Sequence, residues 1–256
     1  MRKRVFALAA HPDDIEFLMA GTLVLLGRAG CEIHYMTIAN GSCGSVRHDA
    51  ATTAAIRRKE SMAASAHLAA HYHPPLVNDL EIFYEQALLA RVAAIVRLVQ
   101  PDILLLHSPQ DYMEDHTNAC RLGVTAAFCR GMRNFPVEPP AEPFQTPVCV
   151  YHSQPHGHRD GMNQKVMPEF VVDIDSVMPV KAAMLAEHAS QQEWLDKSQA
   201  MNAYIQAMQD FAAEMAELVA GCRWAEGWRR HNPVGLCAAG DDLLAELLPA
   251  YRRTVQ

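Results

Sequence analysis

Nothing in this sequence would hold the chain at a membrane or on a nucleic acid. No apolar stretch approaches the roughly 20 residues that span a bilayer, and no lipidation motif or basic amphipathic helix is present. Lys and Arg number 22 against 29 Asp and Glu, a net charge of −7. No long basic run interrupts that acidic excess, so there is no electrostatic footprint for nucleic acid, and anionic lipid surfaces would repel the chain. The seven cysteines are odd in number and include no Cys-x-x-Cys, which argues against a zinc ribbon or a thioredoxin-like redox motif. Most of them read as small buried hydrophobes; Cys43, in the glycine-containing loop Asn40–Ser45, is the exception. Met1-Arg2-Lys3-Arg4 leads directly into a six-residue apolar run, too short for the core of a signal peptide. The expected location is therefore the cytoplasm. Internal repeats and low-complexity tracts are also missing. With 256 residues, half of them hydrophobic, the chain suits one well-cored domain over 1–256.

What the sequence does contain is an alternation of strand and helix signals. Strand 4–10 precedes helix 14–29, and strand 32–38 precedes helix 50–69. A weaker strand at 76–83 leads to helix 85–99, then strand 102–107 and helix 114–131. This order predicts an α/β fold, a Rossmann-like, mostly parallel sheet flanked by helices. The proline-rich stretch 134–143 must be a loop. Beyond it, 148–151 and 170–174 read as strands, and 181–187 reads as a helix with Pro179 in its first turn. From Gln191 to Val219, Trp194, Tyr204, Met208, Phe211 and Met215 recur at roughly helical spacing. Core packing and a subunit contact in a homo-oligomer both fit that stripe. Trp228, beside Arg229 and Arg230, reads as a surface corner with a helix end, or as a platform able to stack on a sugar.

The chemistry gathers where strands give way to helices. His11-Pro12-Asp13-Asp14 joins the apolar strand Val5–Ala10 to the first helix, and ligands of open α/β sheets bind at that carboxyl edge. Capping the helix would require only a single Asp. The later strand delivers His107, the loop Ser108–Met113 follows, and Glu114-Asp115-His116 opens the next helix. A catalytic zinc keeps three protein ligands drawn from imidazole nitrogens and carboxylate oxygens, and His11, Asp14 and His116 supply such a set. They can meet only if both strand ends share one edge of a parallel sheet. Asp111 and Asp115 are the candidates to orient His116. The Asn40–Ser45 loop should share the same edge and bring Asn40 into the pocket wall. Arg57 reads either as an intrahelical partner of Glu60 or as a pocket-mouth residue that binds a substrate hydroxyl or phosphate.

Taken together, His11-Pro12-Asp13-Asp14, Gly21-Thr22-Leu23 and Asp111-Tyr112-Met113-Glu114-Asp115-His116 resemble the LmbE-like (PIG-L) family of zinc-dependent de-N-acetylases. Arg57-Arg58-Lys59-Glu60 resembles that family's Arg-Arg-x-Glu helix, and Ser190-Gln191 its Ser-Gln. The resemblance covers about residues 4–195 and leaves a C-terminal extension, expected to be helical, over about 191–256. It implies that His11, Asp14 and His116 bind one Zn2+ and that Asp13 is the general base. It also implies a small-molecule substrate, an N-acetylglucosamine-type amino-sugar conjugate whose acetyl group is removed.

Met113 departs from the family pattern. Many members carry there a histidine that stabilises the oxyanion or protonates the leaving amine, and a thioether can do neither. Asp13 could serve both steps, or the role could pass to the loop bearing His152, His156 and His158, with His156 also available to substrate. The departure leaves room for a metal-dependent hydratase or lyase. An amidase acting on a thiol-sugar conjugate would share the mechanism, whereas the intact Asp13 argues against a non-catalytic binding protein.

Overall fold

A computed structural model describes residues 2–191 and 204–255; Trp194 of the Met and aromatic stripe lies outside them. The strands β1 (Arg4–Ala9), β2 (Glu32–Thr37), β3 (His71–His73), β4 (Ile103–Leu106), β5 (Cys149–Ser153), β6 (Phe170–Asp173), β7 (Ala225–Arg230) and β8 (Arg252–Thr254) form one mixed sheet in the order β3-β2-β1-β4-β5-β7-β6-β8. Neighbours from β3 to β5 pair in parallel, and β7, β6 and β8 continue the sheet antiparallel. No described helix is long and apolar enough to cross a membrane.

The apolar run that begins the chain is central because both of its faces are covered. Val5, Ala7 and Ala9 join a core that includes Leu23 of α2 (Ala20–Arg28) and Met184 of α6 (Met178–Ala186). Phe6 and Leu8 join a second core with Leu88 of α4 (Gln86–Val99) and Leu122 of α5 (Glu114–Phe128). That split is the two-residue period of a strand, and a strand buried on both faces reads as a continuous hydrophobic run. β1 lies between β2 and β4, so the crossovers on its two sides run in opposite directions. Such a switch opens a crevice beyond the carboxyl ends of the strands.

The helix expected over 14–29 breaks at Met19 into α1 (Asp14–Leu18) and α2, and the one expected over 50–69 is α3 (Ala50–Ala66). The break turns the start of α2 onto Glu226 of β7, whose carboxylate accepts the Gly21 N–H at 2.8 Å and the Thr22 N–H at 2.7 Å. Lys181 forms an ion pair with Glu226, and both side chains are buried. Gly21 has no space for a side chain, since a Cβ there would sit 2.6 Å from Cγ2 of Ile174.

Other expectations are corrected. The third strand lies at His71–His73 instead of 76–83, because Pro74-Pro75 cannot continue a ladder; residues 76–83 form a loop with an isolated bridge from Val77 to Ala39. The C-terminal part is only partly helical. Tyr204–Ala216 and Leu243–Leu247 are helices, but 225–230 and 252–254 are β7 and β8. Trp228 is neither a surface corner nor a sugar platform. It is fully buried, and its Nε1 donates to Thr22 Oγ1 at 3.0 Å.

Candidate active site

A cleft of about 420 Å³ lies at the carboxyl ends of β1 and β4 and is lined by His11, Asp13, Asp14 and His116 among others. Ring nitrogens of His11 and His116 and a carboxylate oxygen of Asp14 lie within 4.8 Å of one another. Asp14 Oδ1 is 3.5 Å from His116 Nε2, and Asp14 Oδ2 is 3.6 Å from His11 Nδ1. A tetrahedral zinc with ligands at about 2.0–2.1 Å sets neighbouring donor atoms roughly 3.4 Å apart, so this trio fits such an ion.

The outward-facing ring nitrogens are held by separate carboxylates, the arrangement that fixes the tautomer of a metal-binding imidazole. His116 Nδ1 meets Asp111 Oδ1 at 3.1 Å, and His11 Nε2 meets Asp115 Oδ2 at 2.9 Å. Asp115 therefore orients His11 and not His116, as the sequence had suggested, and it also accepts the Leu80 N–H at 2.8 Å. Burial alone would lower the pKa of His11, but its bonds to Asp115 and Asp14 prevail and raise it to about 10. The pKa of His116 is likewise raised, Asp14 and Asp111 outweighing burial. Burial opposes ionisation of Asp14, yet His116 and His107 hold its pKa well below the usual carboxylate range. The cluster has a negative field that favours a cation. His107 is fully buried behind His116, its ring stacked on that residue with centroids 4.2 Å apart and its Nε2 accepting the Ala10 N–H at 2.9 Å.

Asp13 occupies a constrained backbone position. Its φ of 95° is in the left-handed region, a conformation that costs on the order of 1–3 kcal/mol and recurs at functional sites. Tyr204 donates its hydroxyl to Asp13 Oδ2 at 2.7 Å, and Arg57 Nη2 lies 3.4 Å from Oδ1. Burial raises the pKa of Asp13, with Arg57 and the Tyr204 bond working against it. The sequence placed Tyr204 only in the aromatic stripe. No local signal singles it out, because it lies 191 residues from its partner.

Arg57 lines the cleft from a buried position, donates to the Pro12 carbonyl and to Gln191 Oε1, and approaches Glu60 Oε2 at 4.0 Å. Glu60 in turn accepts from the Ser190 N–H at 2.8 Å and the Ser190 hydroxyl at 2.6 Å, so the two later motifs meet behind Asp13. Asn40 is not among the residues that line the cleft. Its amide bonds Asn78 at 2.9 Å and the Ser42 N–H at 3.1 Å, while Gly41, Cys43 and Gly44 form that part of the wall. Asp79 braces the wall by accepting the N–H groups of Gly41 at 2.7 Å and Cys43 at 2.9 Å. Of the three histidines in the 152–158 stretch, His156 lines the cleft. His152 bonds the His107 carbonyl at 2.9 Å, and His158 stacks on Phe211 at 3.8 Å. Met113 lines the cleft together with Phe17, Leu18, Leu80 and Tyr112.

Fold and site together define an α/β protein with a candidate His-Asp-His cation site at the switch point of a parallel sheet. Residues 6–128 match the PIG-L (LmbE-like) family, described as GlcNAc-PI de-N-acetylase. The chain is 26% identical over 234 residues to diacetylchitobiose deacetylase of Thermococcus kodakarensis, covering 89% of this chain and 82% of that protein. It is 27% identical over 199 residues to 4-oxalmesaconate hydratase of Pseudomonas putida, covering 75% of each. The solved structure of N,N'-diacetylchitobiose deacetylase from Pyrococcus horikoshii superposes with a TM-score of 0.75 at 23% identity, covering 91% of this chain and 85% of that one.

Proposed function

We propose that this protein is a zinc-dependent hydrolase that removes the N-acetyl group from a small amino-sugar conjugate in the cytoplasm. The observation that carries the reading is the buried Asp13, held between Tyr204 and Arg57 in the same cleft as the His11, Asp14 and His116 donor set. Those three residues would hold the zinc; when bound, it supplies a Lewis acid that acidifies water and polarises the acetyl carbonyl.

The chain's own groups account for the proton movements. Asp13 accepts a proton from the attacking water as general base. The oxygen adds to the acetyl carbon, the C–N bond then breaks, and the departing amine takes a proton from the carboxylic acid of Asp13 or from His156. The Tyr204 hydroxyl and the Arg57 guanidinium favour the ionised form against burial and hold the carboxyl group in place. Met113, Phe17 and Tyr112 exclude water from one side of the cleft, and the 41–44 backbone and His156 offer polar contacts to sugar hydroxyls. An acetate-release assay on N-acetylglucosamine conjugates tests the proposal. Release by the parent, lost in Asp13→Asn protein that still binds zinc, is expected. A zinc-loaded parent that frees no acetate from any such conjugate would defeat it.

Met113 supports a second reading. An apolar residue where many relatives hold an acid suits hydration of an activated double bond, and the Pseudomonas putida relative is named as a hydratase. Loss of absorbance from a conjugated unsaturated acid, with no acetate released from amino sugars, would favour it.

A further inference from the structure

We propose a second metal site, for a divalent first-row transition ion of the zinc type, formed by Glu32 and His34 of β2 and His71 of β3. It lies at the first residues of these strands, at the opposite end of the sheet from the cleft. Glu32 and His34 are two apart on one strand, and His71 is the register partner of His34, so all three side chains project from one face. One carboxylate oxygen and two ring nitrogens lie within 4.8 Å of one another. Glu32 Oε1 is 3.0 Å from His34 Nε2 and 3.7 Å from His71 Nε2. These separations bracket the roughly 3.4 Å that a tetrahedral zinc sets between its ligands.

A fourth residue gives the cluster the form of a metal site. His73 Nε2 lies 3.0 Å from His34 Nδ1. A proton on His34 Nδ1, donated to His73, leaves the His34 Nε2 lone pair facing Glu32, the tautomer choice that a second hydrogen-bonded group enforces in metal sites. The neighbouring cation, Arg4, donates Nη1 to the Val99 carbonyl at 2.6 Å. Imidazole with carboxylate suits zinc, copper and nickel better than magnesium or calcium.

The ion would clamp an edge strand that pairs with β2 over only three residues. The chain leaves that strand for the Asn78-Asp79-Leu80 segment that braces the cleft wall.

The test is equilibrium dialysis of chelator-stripped protein against Zn2+, followed by metal analysis. The parent is expected to bind two ions per chain and His71→Gln protein one. His71 is exposed on its strand, so that variant is not at risk of misfolding. The double variant His11→Ala/His116→Ala isolates the second site. In that background zinc should still bind and raise the melting temperature, and adding His71→Gln should weaken binding by about tenfold or more. A His71→Gln protein that binds as many ions as the parent, at unchanged affinity, would overturn the proposal. So would a folded His11→Ala/His116→Ala protein that binds no zinc.

Discussion

Replacing Tyr204 by Phe removes one oxygen atom from the wall behind Asp13. That hydroxyl donates to Asp13 Oδ2 at 2.7 Å, and both residues are buried. A hydrogen bond to a charged group is worth roughly 1.5–3 kcal/mol. The bond favours the ionised carboxylate, so its loss raises the pKa of Asp13. A general base must be deprotonated in the free enzyme, and the acidic limb of kcat/KM reports that ionisation. The limb should therefore move to higher pH. Below it the rate should fall about 10- to 100-fold relative to the parent, while the plateau above it should change little. Phe keeps the ring packed on Phe17, whose centroid is 5.6 Å away, so the melting temperature should hold. The measurement is initial acetate release against pH for zinc-loaded parent and variant. An unmoved limb with a lowered plateau would refute the reasoning and make Tyr204 a substrate contact.

His156→Ala should lower the basic limb of kcat if His156 protonates the leaving amine; a profile parallel to the parent's assigns that step to Asp13. Asp111→Asn and Asp115→Asn should each weaken zinc binding by about 10- to 100-fold, because each carboxylate orients a different histidine; metal titration with a competing chelator reads the change, and parent-like affinity in both would show that the carboxylates do not tune the site. Lys181→Met leaves Glu226 buried without its cation and should cost roughly 3–5 kcal/mol of stability. Urea denaturation measures that cost, and a loss below about 1 kcal/mol would rank the pair with exposed surface bridges.

The amino-terminal strands were legible in the sequence because a strand covered on both faces must be apolar at every position, as Val5–Ala10 is. The choice of His11, Asp14 and His116 as neighbours was legible too, since strand ends of a parallel sheet share one edge and residue type limits what can bind a cation. Local pattern could not show that Glu226 is an interior residue. Its charge breaks the apolar run that would have marked 225–230 as a strand, and only Lys181 and the N–H groups of Gly21 and Thr22, all distant in sequence, make its burial tolerable. The same limit hid Tyr204, which has the spacing of a core residue and acquires its partner only when its helix packs across α1. It also hid the pairing of Asp115 with His11 instead of the adjacent His116. Periodicity and residue chemistry are properties of short segments, and they determined the layers and the list of reactive groups. Which group faces which was decided by crossover topology and by the need of each buried charge for a partner, and those are properties of the folded whole.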